Sequence, residues 1–382
     1  MNMRTLNEII SNFTDIAANP KARLDRYLEQ GKKVIGCMPY FCPEELIHAS
    51  GMIPFGLWGA ETTVSEARRY LPAFICSIVQ TTLELGIIGA YDGISAIMIP
   101  ILCDSLKSMD GNWRYGVKEI PAIPVAHAQN RKTPAGAEFT ASQYRKILAR
   151  LEEISGASVT QADLRASIAV YNKRNAAVRQ FLEELGKRPG VISASGRNAV
   201  FKSAYFMDAE EFTSGIEELT ASLAGLPATN APPGPRLVTC GIIADNSELL
   251  EILDEYNVTI VDDLVAHESL RYRFDAAETG DPIMALAHMV GDVEGCPVLF
   301  DPGKLRAGVL VDIVRRNAAD GVLFVMTKFC DPEEYDIVPI TKRLEQEEVR
   351  FLQVEVDQQT IDIGRIRTAI ETFCEILARK NL

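Results

Sequence analysis

Three cysteines sit where a folded chain can put a thiol to work. Gly321–Tyr335 reads GVLFVMTKFCDPEEY. Its apolar run Val322–Met326 has the composition of a strand buried on both faces. Cys330 follows the carboxyl end of that run. Asp331, Pro332 and Glu333 then supply an N-cap, a first-turn proline and a first-turn acid, the pattern of a helix start. Ala96–Leu106, AIMIPILCDSL, repeats the arrangement with Cys103 followed by Asp104-Ser105. Cys76 lies in YLPAFICSIVQ, where Pro72 predicts a helix running toward Leu85. In an open parallel sheet the carboxyl ends of the strands form the binding crevice. Thiolates brought there from distant parts of a chain suit an iron–sulfur cluster held between domains. Scattered core thiols are the competing reading, and spacing alone leaves both open.

Other chemistry is thin. No CxxC pair occurs among the eight cysteines, which excludes a zinc ribbon or a thioredoxin motif. GxGxxG, P-loop, HExxH and GxSxG patterns are absent too. The histidines at 48, 127, 267 and 288 show no metal spacing. His48 and His288 read as ordinary helix residues, and His127, ending the fourth strand, is better placed for a cleft. Asp262-Asp263 and Gln358-Gln359 also end strands and are expected to line it. Trp58 and Trp113 read as core or interface, and Cys240, Cys296 and Cys374 as structural.

Positioning the three thiols takes two sheets. Strands are predicted at Lys33–Met38, Ile53–Trp58, Ala96–Ile101 and Ile123–Ala126, alternating with helices that include Leu71–Gly86, the one carrying Cys76. A second series follows at Arg236–Ala244, Val258–Asp262, Gly321–Met326 and Arg350–Val356, with a short extra strand at Pro297–Phe300. Laid side by side, KVIGCM matches RLVTCG, IPFGLW matches VTIVDD, and AIMIPILC matches GVLFVMTKFC. The expected fold is α/β, two doubly wound parallel-sheet domains of similar topology joined by a helical insert. The domains fall at 1–138, 139–227 (helices Phe139–Ile154, Gln161–Leu185 and Asp208–Leu226) and 236–382. The turn-rich Ala228–Pro235 marks the boundary. The default site is the cleft where the two sets of strand ends face each other.

At 382 residues two or three domains are expected. A formal net charge of −13 leaves no basic stripe to neutralise phosphates, which argues against nucleic acid. The longest uncharged apolar run, near Ile94–Leu102, is about half a membrane span. The N-terminal residues form a mixed polar helix with no signal core. A cytoplasmic protein with no membrane partner is expected.

KKVIGCMPYFCPEELIHASGMIPFGLWG, YLPAFICSIVQ, ILCDSL, HAQNR, DDLVAHESLRYR, KFCDPEEYD and VDQQT, in this order along the whole chain, resemble the β subunit of oxygen-sensitive 2-hydroxyacyl-CoA dehydratases of amino-acid-fermenting anaerobes. The resemblance implies an αβ heterodimer with a [4Fe–4S] cluster in each subunit. A separate ATP-hydrolysing iron–sulfur activator injects one electron, and an (R)-2-hydroxyacyl thioester loses water through a ketyl radical. The acyl-CoA docks chiefly on the α subunit, so the β subunit implied here relays an electron. The family's β-cluster cysteines map onto Cys76, Cys103 and Cys330. The fourth iron ligand is Cys37, Cys42 or an exogenous group. Related benzoyl-CoA reductase subunits share the architecture. A subunit of that kind, or a non-catalytic iron–sulfur electron-transfer or assembly protein, is the competing function.

Overall fold

The computed structural model describes residues 4–228, 234–359 and 362–379. Two helices come first, α1 (Leu6–Ala18), with a Thr5–Glu8 capping box, and α2 (Pro20–Glu29). A first α/β unit follows: β1 (Val34–Cys37), α3 (Glu44–Ala49), β2 (Ile53–Gly56), α4 (Ser77–Ile87), β3 (Ala96–Pro100), α5 (Asp104–Gly116) and β4 (Ala122–Val125). Four helices come next, α6 (Pro134–Ser155), α7 (Gln161–Gly186), α8 (Ala194–Ser203) and α9 (Ala209–Ala224). The second unit contains β5 (Arg236–Gly241), α10 (Ser247–Glu255), β6 (Thr259–Val265), α11 (Pro282–Asp292), α12 (Arg306–Arg316), β7 (Gly321–Thr327), α13 (Asp331–Gln346), β8 (Phe351–Val356) and α14 (Ile363–Ala378).

Both sheets are parallel throughout, in the orders β2-β1-β3-β4 and β6-β5-β7-β8. The second is the first repeated, strand for strand. In each, the strand order reverses at the central pair, β1/β3 or β5/β7, which puts a crevice at the carboxyl ends of those strands. The central strands are apolar and buried, as their uninterrupted apolar runs require. One apolar core runs through both units: Phe55, Ile97 and Ile99 of the first share it with Val238, Phe324 and Leu310 of the second. Tyr144, Ile147 and Leu151 of α6 cover the other face of the first sheet, against Ile35, Met98 and Ile123. Helices α1, α7, α8 and α9 build a separate core around Phe13, Phe181, Phe201 and Phe212.

Some expectations change. Tyr70–Cys76 is not helical; α4 begins at Ser77, because Cys76 has extended backbone (φ −60°, ψ 146°). Pro297–Phe300 forms no strand; it belongs to an irregular stretch between α11 and α12. Asp262 and Asp263 lie inside β6, which continues to Val265, and do not end it. Helix α8 has no counterpart in the predicted pattern. Residues 229–233 of the predicted linker lie outside the described residues.

The helical segment is tied to the second unit by a buried ion network. Arg197 of α8 bonds both Asp263 and Glu268, and Asn198 donates to Glu268 Oε1 at 3.1 Å. All four side chains are nearly inaccessible to water. Removing one partner of such a network strands the others in a low dielectric. Arg197→Ala is therefore expected to destabilise the chain by about 3–5 kcal/mol. A urea midpoint matching the unmodified chain would contradict this.

Candidate functional site

Each of the three cysteines is the N-cap residue of a helix. Cys76 caps α4, Cys103 caps α5 and Cys330 caps α13. A cap needs extended backbone ahead of the first helical turn, and its side chain then points at N–H groups that have no intrahelical partner. Cys103 shows this contact, its Sγ accepting from the Leu106 N–H at 3.5 Å. The Cys330 carbonyl accepts from the N–H groups of Glu333 and Glu334, both at 3.0 Å. Phe329, immediately before it, holds a left-handed backbone (φ 60°) that is strained for an aromatic residue. That kink turns the chain from β7 into α13.

The three thiols share one locale. Cys330 is in the core common to both units, and Cys76 and Cys103 pack against it. Burial pushes the Cys76 thiol up to about 12, with further contributions from the charges of Cys103 and Asp331. Cys330 is raised by burial, then by Glu333, and also by Cys76 and Cys103. Cys103 is raised by burial as well. Three anionic sulfurs would repel one another here, and a cationic group bound among them reverses that logic. Among the described residues, no three His, Cys, Asp or Glu side chains are placed to hold a single metal ion. A cluster spaces its thiolates more widely than one ion does, so three soft sulfur donors at three positive helix ends suit an iron–sulfur group.

Contacts between the units hold this edge in place. Gln358, past β8, gives its backbone N–H to Ser77 Oγ (3.1 Å) and its Nε2–H to the Trp58 carbonyl (3.1 Å). It also accepts from the Thr81 hydroxyl at 2.6 Å. Gln359 donates to Gln80 Oε1 at 3.2 Å. Gly59 (φ +82°) permits this approach, since a Cβ there would lie 1.9 Å from Thr81 Oγ1. Beside it opens a cavity of about 550 Å³, lined by strand ends of both sheets and by Ser77, Trp58, Lys202 and Asp245. Trp58 donates to Asp245 Oδ2 at 3.0 Å, and Lys202 pairs with the same oxygen at 3.1 Å. His267 stacks on Tyr205 (4.3 Å, 6°), and burial drives it down to about 3, which keeps it neutral.

The other candidates divide. Gln358 lines the large cavity as expected, whereas Asp262 and Asp263 are absent from its lining. His127 lies under α6, its Nε2 3.0 Å from the Tyr144 hydroxyl, and does not line that cavity either. His48 bonds Ser167 Oγ at 2.9 Å and His288 is exposed. Trp113 is fully buried, its indole N–H on the Ile120 carbonyl (2.8 Å). Cys240 accepts from Arg306 at 3.3 Å inside β5, and Cys374 is buried in α14. Cys37 and Cys42 pack in the core on the opposite face of the first sheet, away from the three cap cysteines. Lys202 and Asp245 carry no motif. The signal available for Asp245 was its place just beyond β5, ahead of the Asn246 cap.

A smaller cavity of about 80 Å³ lies between the units and α7, lined by Cys42, Glu44, Glu45, Arg174 and Arg271. Glu44 bridges Arg174 (3.0 Å) and Arg271 (2.7 Å). Burial opposes its charge, yet the two arginines prevail and hold it below the usual carboxylate range. Among the described residues Glu45 has no such partner, and burial lifts it to about 7.

Comparison with known proteins places the whole chain. A family model described as 2-hydroxyglutaryl-CoA dehydratase, D-component, matches residues 39–377. The (R)-phenyllactyl-CoA dehydratase β subunit of Clostridium sporogenes is 43% identical over 98% of this chain and 100% of its own length. The lactoyl-CoA dehydratase β subunit of Anaerotignum propionicum is 38% identical over 98% and 100%. A more distant relative, one of the benzoyl-CoA reductase subunits of Thauera aromatica, is 25% identical over 93% of each chain.

Glu45 makes stability depend on pH. Its folded value is about 7 against an ordinary 4.5, so folding takes up a proton between those limits. The contribution is complete below about pH 4.5 and is lost as pH rises through 7, amounting to about 3 kcal/mol. Glu45→Gln is expected to flatten this part of the decline, read as the difference in urea midpoint between pH 5 and pH 8. An equal pH slope in both chains would refute it.

Proposed function

The chain belongs to the 2-hydroxyglutaryl-CoA dehydratase D-component family, and from that premise we propose that it is the β subunit of an (R)-2-hydroxyacyl-CoA dehydratase whose Cys76, Cys103 and Cys330 hold a [4Fe–4S] cluster. The observation that carries this reading is the convergence of three cap cysteines from two sheets. The cluster would supply a one-electron relay from an ATP-hydrolysing iron–sulfur activator to the α subunit, where the thioester loses water to give a 2-enoyl-CoA. The chain's own part is to hold and insulate. Helix N-termini α4, α5 and α13 offset the negative charge of three thiolates. Gln358, Thr81 and Ser77 lock the second unit onto the first, and the shared apolar core limits access of water. Cys37 and Cys42 pack across the first sheet from the cap cysteines, which favours an exogenous group over either of them at the fourth iron position.

Exposed apolar side chains flank the thiols: Phe74 (72% exposed) two residues before Cys76, Phe329 next to Cys330, and Tyr335 and Val338 on α13. We assign this face to the α subunit, the partner implied by the β-subunit names of the relatives. Among the described residues no helix is long and apolar enough to cross a membrane. Higher identity to the dehydratase subunits than to the benzoyl-CoA reductase subunit favours elimination of water over ring reduction.

Iron analysis tests the assignment. After anoxic reconstitution, Cys103→Ala and Cys330→Ala are each expected to lose most bound iron, whereas Cys240→Ala and Cys374→Ala keep it. Full iron in a folded Cys330→Ala chain would refute the ligand set. Thioester dehydration should appear only on adding the α subunit, the activator and ATP. If iron is held but no such activity appears with matched partners, the protein is an electron-transfer module instead.

A further inference from the structure

The smaller cavity is lined by polar groups that the protein leaves without partners. Tyr40, Arg174 and Asn175, all more than nine-tenths buried, line it together with Arg271. Among the described residues, Tyr40 Oη, Arg174 Nε, Arg271 Nη1 and Asn175 Oδ1 have no hydrogen-bond partner. Three of these donate and one accepts. Asn175 Nδ2 is engaged by the Phe274 carbonyl at 2.9 Å, which leaves the amide oxygen as the free end. Such orphaned groups cost free energy in an interior, and four of them on one space point to a ligand. Charge argues the same way. Among the described residues Glu44 is the only carboxylate paired with Arg174 or Arg271, so two guanidinium groups share one negative partner. Glu45 pairs with neither, and its value of about 7 leaves it uncharged in more acid solution. Buried positive charge without a counter-charge is costly. Phe41, Leu286 and Met289 add an apolar wall. A water needs about 10–15 Å³ of such space, so a cavity of about 80 Å³ has room for a small organic acid.

We propose that this cavity binds a short-chain 2-hydroxycarboxylate, its carboxylate taken by Arg174, Arg271 and Tyr40, its hydroxyl by Asn175 and its carbon chain by the apolar wall. A planar carboxylate suits guanidinium donors, whereas a tetrahedral dianion such as sulfate would leave the wall and Asn175 unused. Bound there, the acid ties the loop after β1, which carries Tyr40, to Arg174 on α7 and to Arg271 beyond β6. It thereby stiffens the junction between the units. Binding needs none of the three cap cysteines, so the inference stands or falls independently of the cluster assignment.

The test titrates sodium lactate into the full chain, purified anoxically, at fixed ionic strength and mildly acid pH, and reads the heat of binding. Sodium propionate, which lacks the hydroxyl, and sodium chloride are the comparisons. Lactate is expected to bind saturably at one site, propionate about fivefold more weakly, and chloride to give no saturable heat. Tyr40→Phe removes one donor and keeps the ring, so it should bind lactate about tenfold more weakly while melting no lower without ligand. Arg271→Lys, which keeps a charge facing Glu44 and loses the free Nη1, should weaken binding likewise. Lys202→Gln, in the large cavity, should bind as the unmodified chain does. No saturable heat from lactate, or equal heats from chloride, overturns the proposal, since the cavity then holds water alone. Unchanged affinity in Tyr40→Phe and Arg271→Lys overturns it too, and a loss confined to Lys202→Gln would place the acid in the large cavity. Equal affinity for propionate overturns the hydroxyl contact at Asn175.

Discussion

Three thiols held together in a half-buried place resist ionisation, since burial and one another's charge oppose the thiolate, and the helix starts beside them bear on that constraint. In a parallel sheet every strand hands over to a helix at the same edge, so the positive helix ends gather where the strands stop. Facing two such edges multiplies the effect. α5 and α13 both begin just past a central strand, β3 and β7 respectively, and α4 is brought to the same place by the loop after β2. The cysteines occupy the cap position of all three helices, which is the position where an anion gains most from the unsatisfied N–H groups.

That convergence is only as good as the junction between the units. It is made of short polar contacts backed by a continuous apolar core. Gln358 reaches three groups of the first unit, Asp245 reaches Trp58, and Glu44 reaches Arg271. Arg174 on α7 joins the last of these, which makes the helical segment a third party to the junction.

The strands were legible in the sequence because buried parallel strands are uninterrupted apolar runs, and their internal match exposed the repeated topology. Cys103 and Cys330 were legible for a related reason, since an apolar run followed by cysteine and an acidic start signal can hardly be anything but a strand–helix junction. Cys76 was harder. Pro72 imitates a helix start, whereas the chain stays irregular until Ser77, with Leu71 and Ile75 buried in the core shared by the two units. Asp262 and Asp263 misled because two acids resemble a strand end; inside β6 their charges are met by Arg197, Arg273, Arg316 and Asn317 and by the backbone N–H groups of Val265 and Ser269. The large cavity, Lys202 and Tyr40 left no trace in the spacing, because residues that meet across two sheets have no fixed separation along the chain. The cluster, the activator and the acyl thioester came from family resemblance, not from periodicity.

The order of the three proposed ligands along the chain bears on biogenesis. Cys76 and Cys103 are both made in the first third of the chain, while Cys330 follows Cys103 by roughly 230 residues, on the order of 10–45 s at ribosomal speeds of about 5–20 residues per second. During that interval the nascent first unit carries two of the three cap thiols beside an open crevice, and the third cap thiol is not yet made. Under the proposed ligand set, loading before release would leave an undercoordinated, air-labile assembly, and maturation would wait until the last quarter of the polypeptide has folded back onto the first.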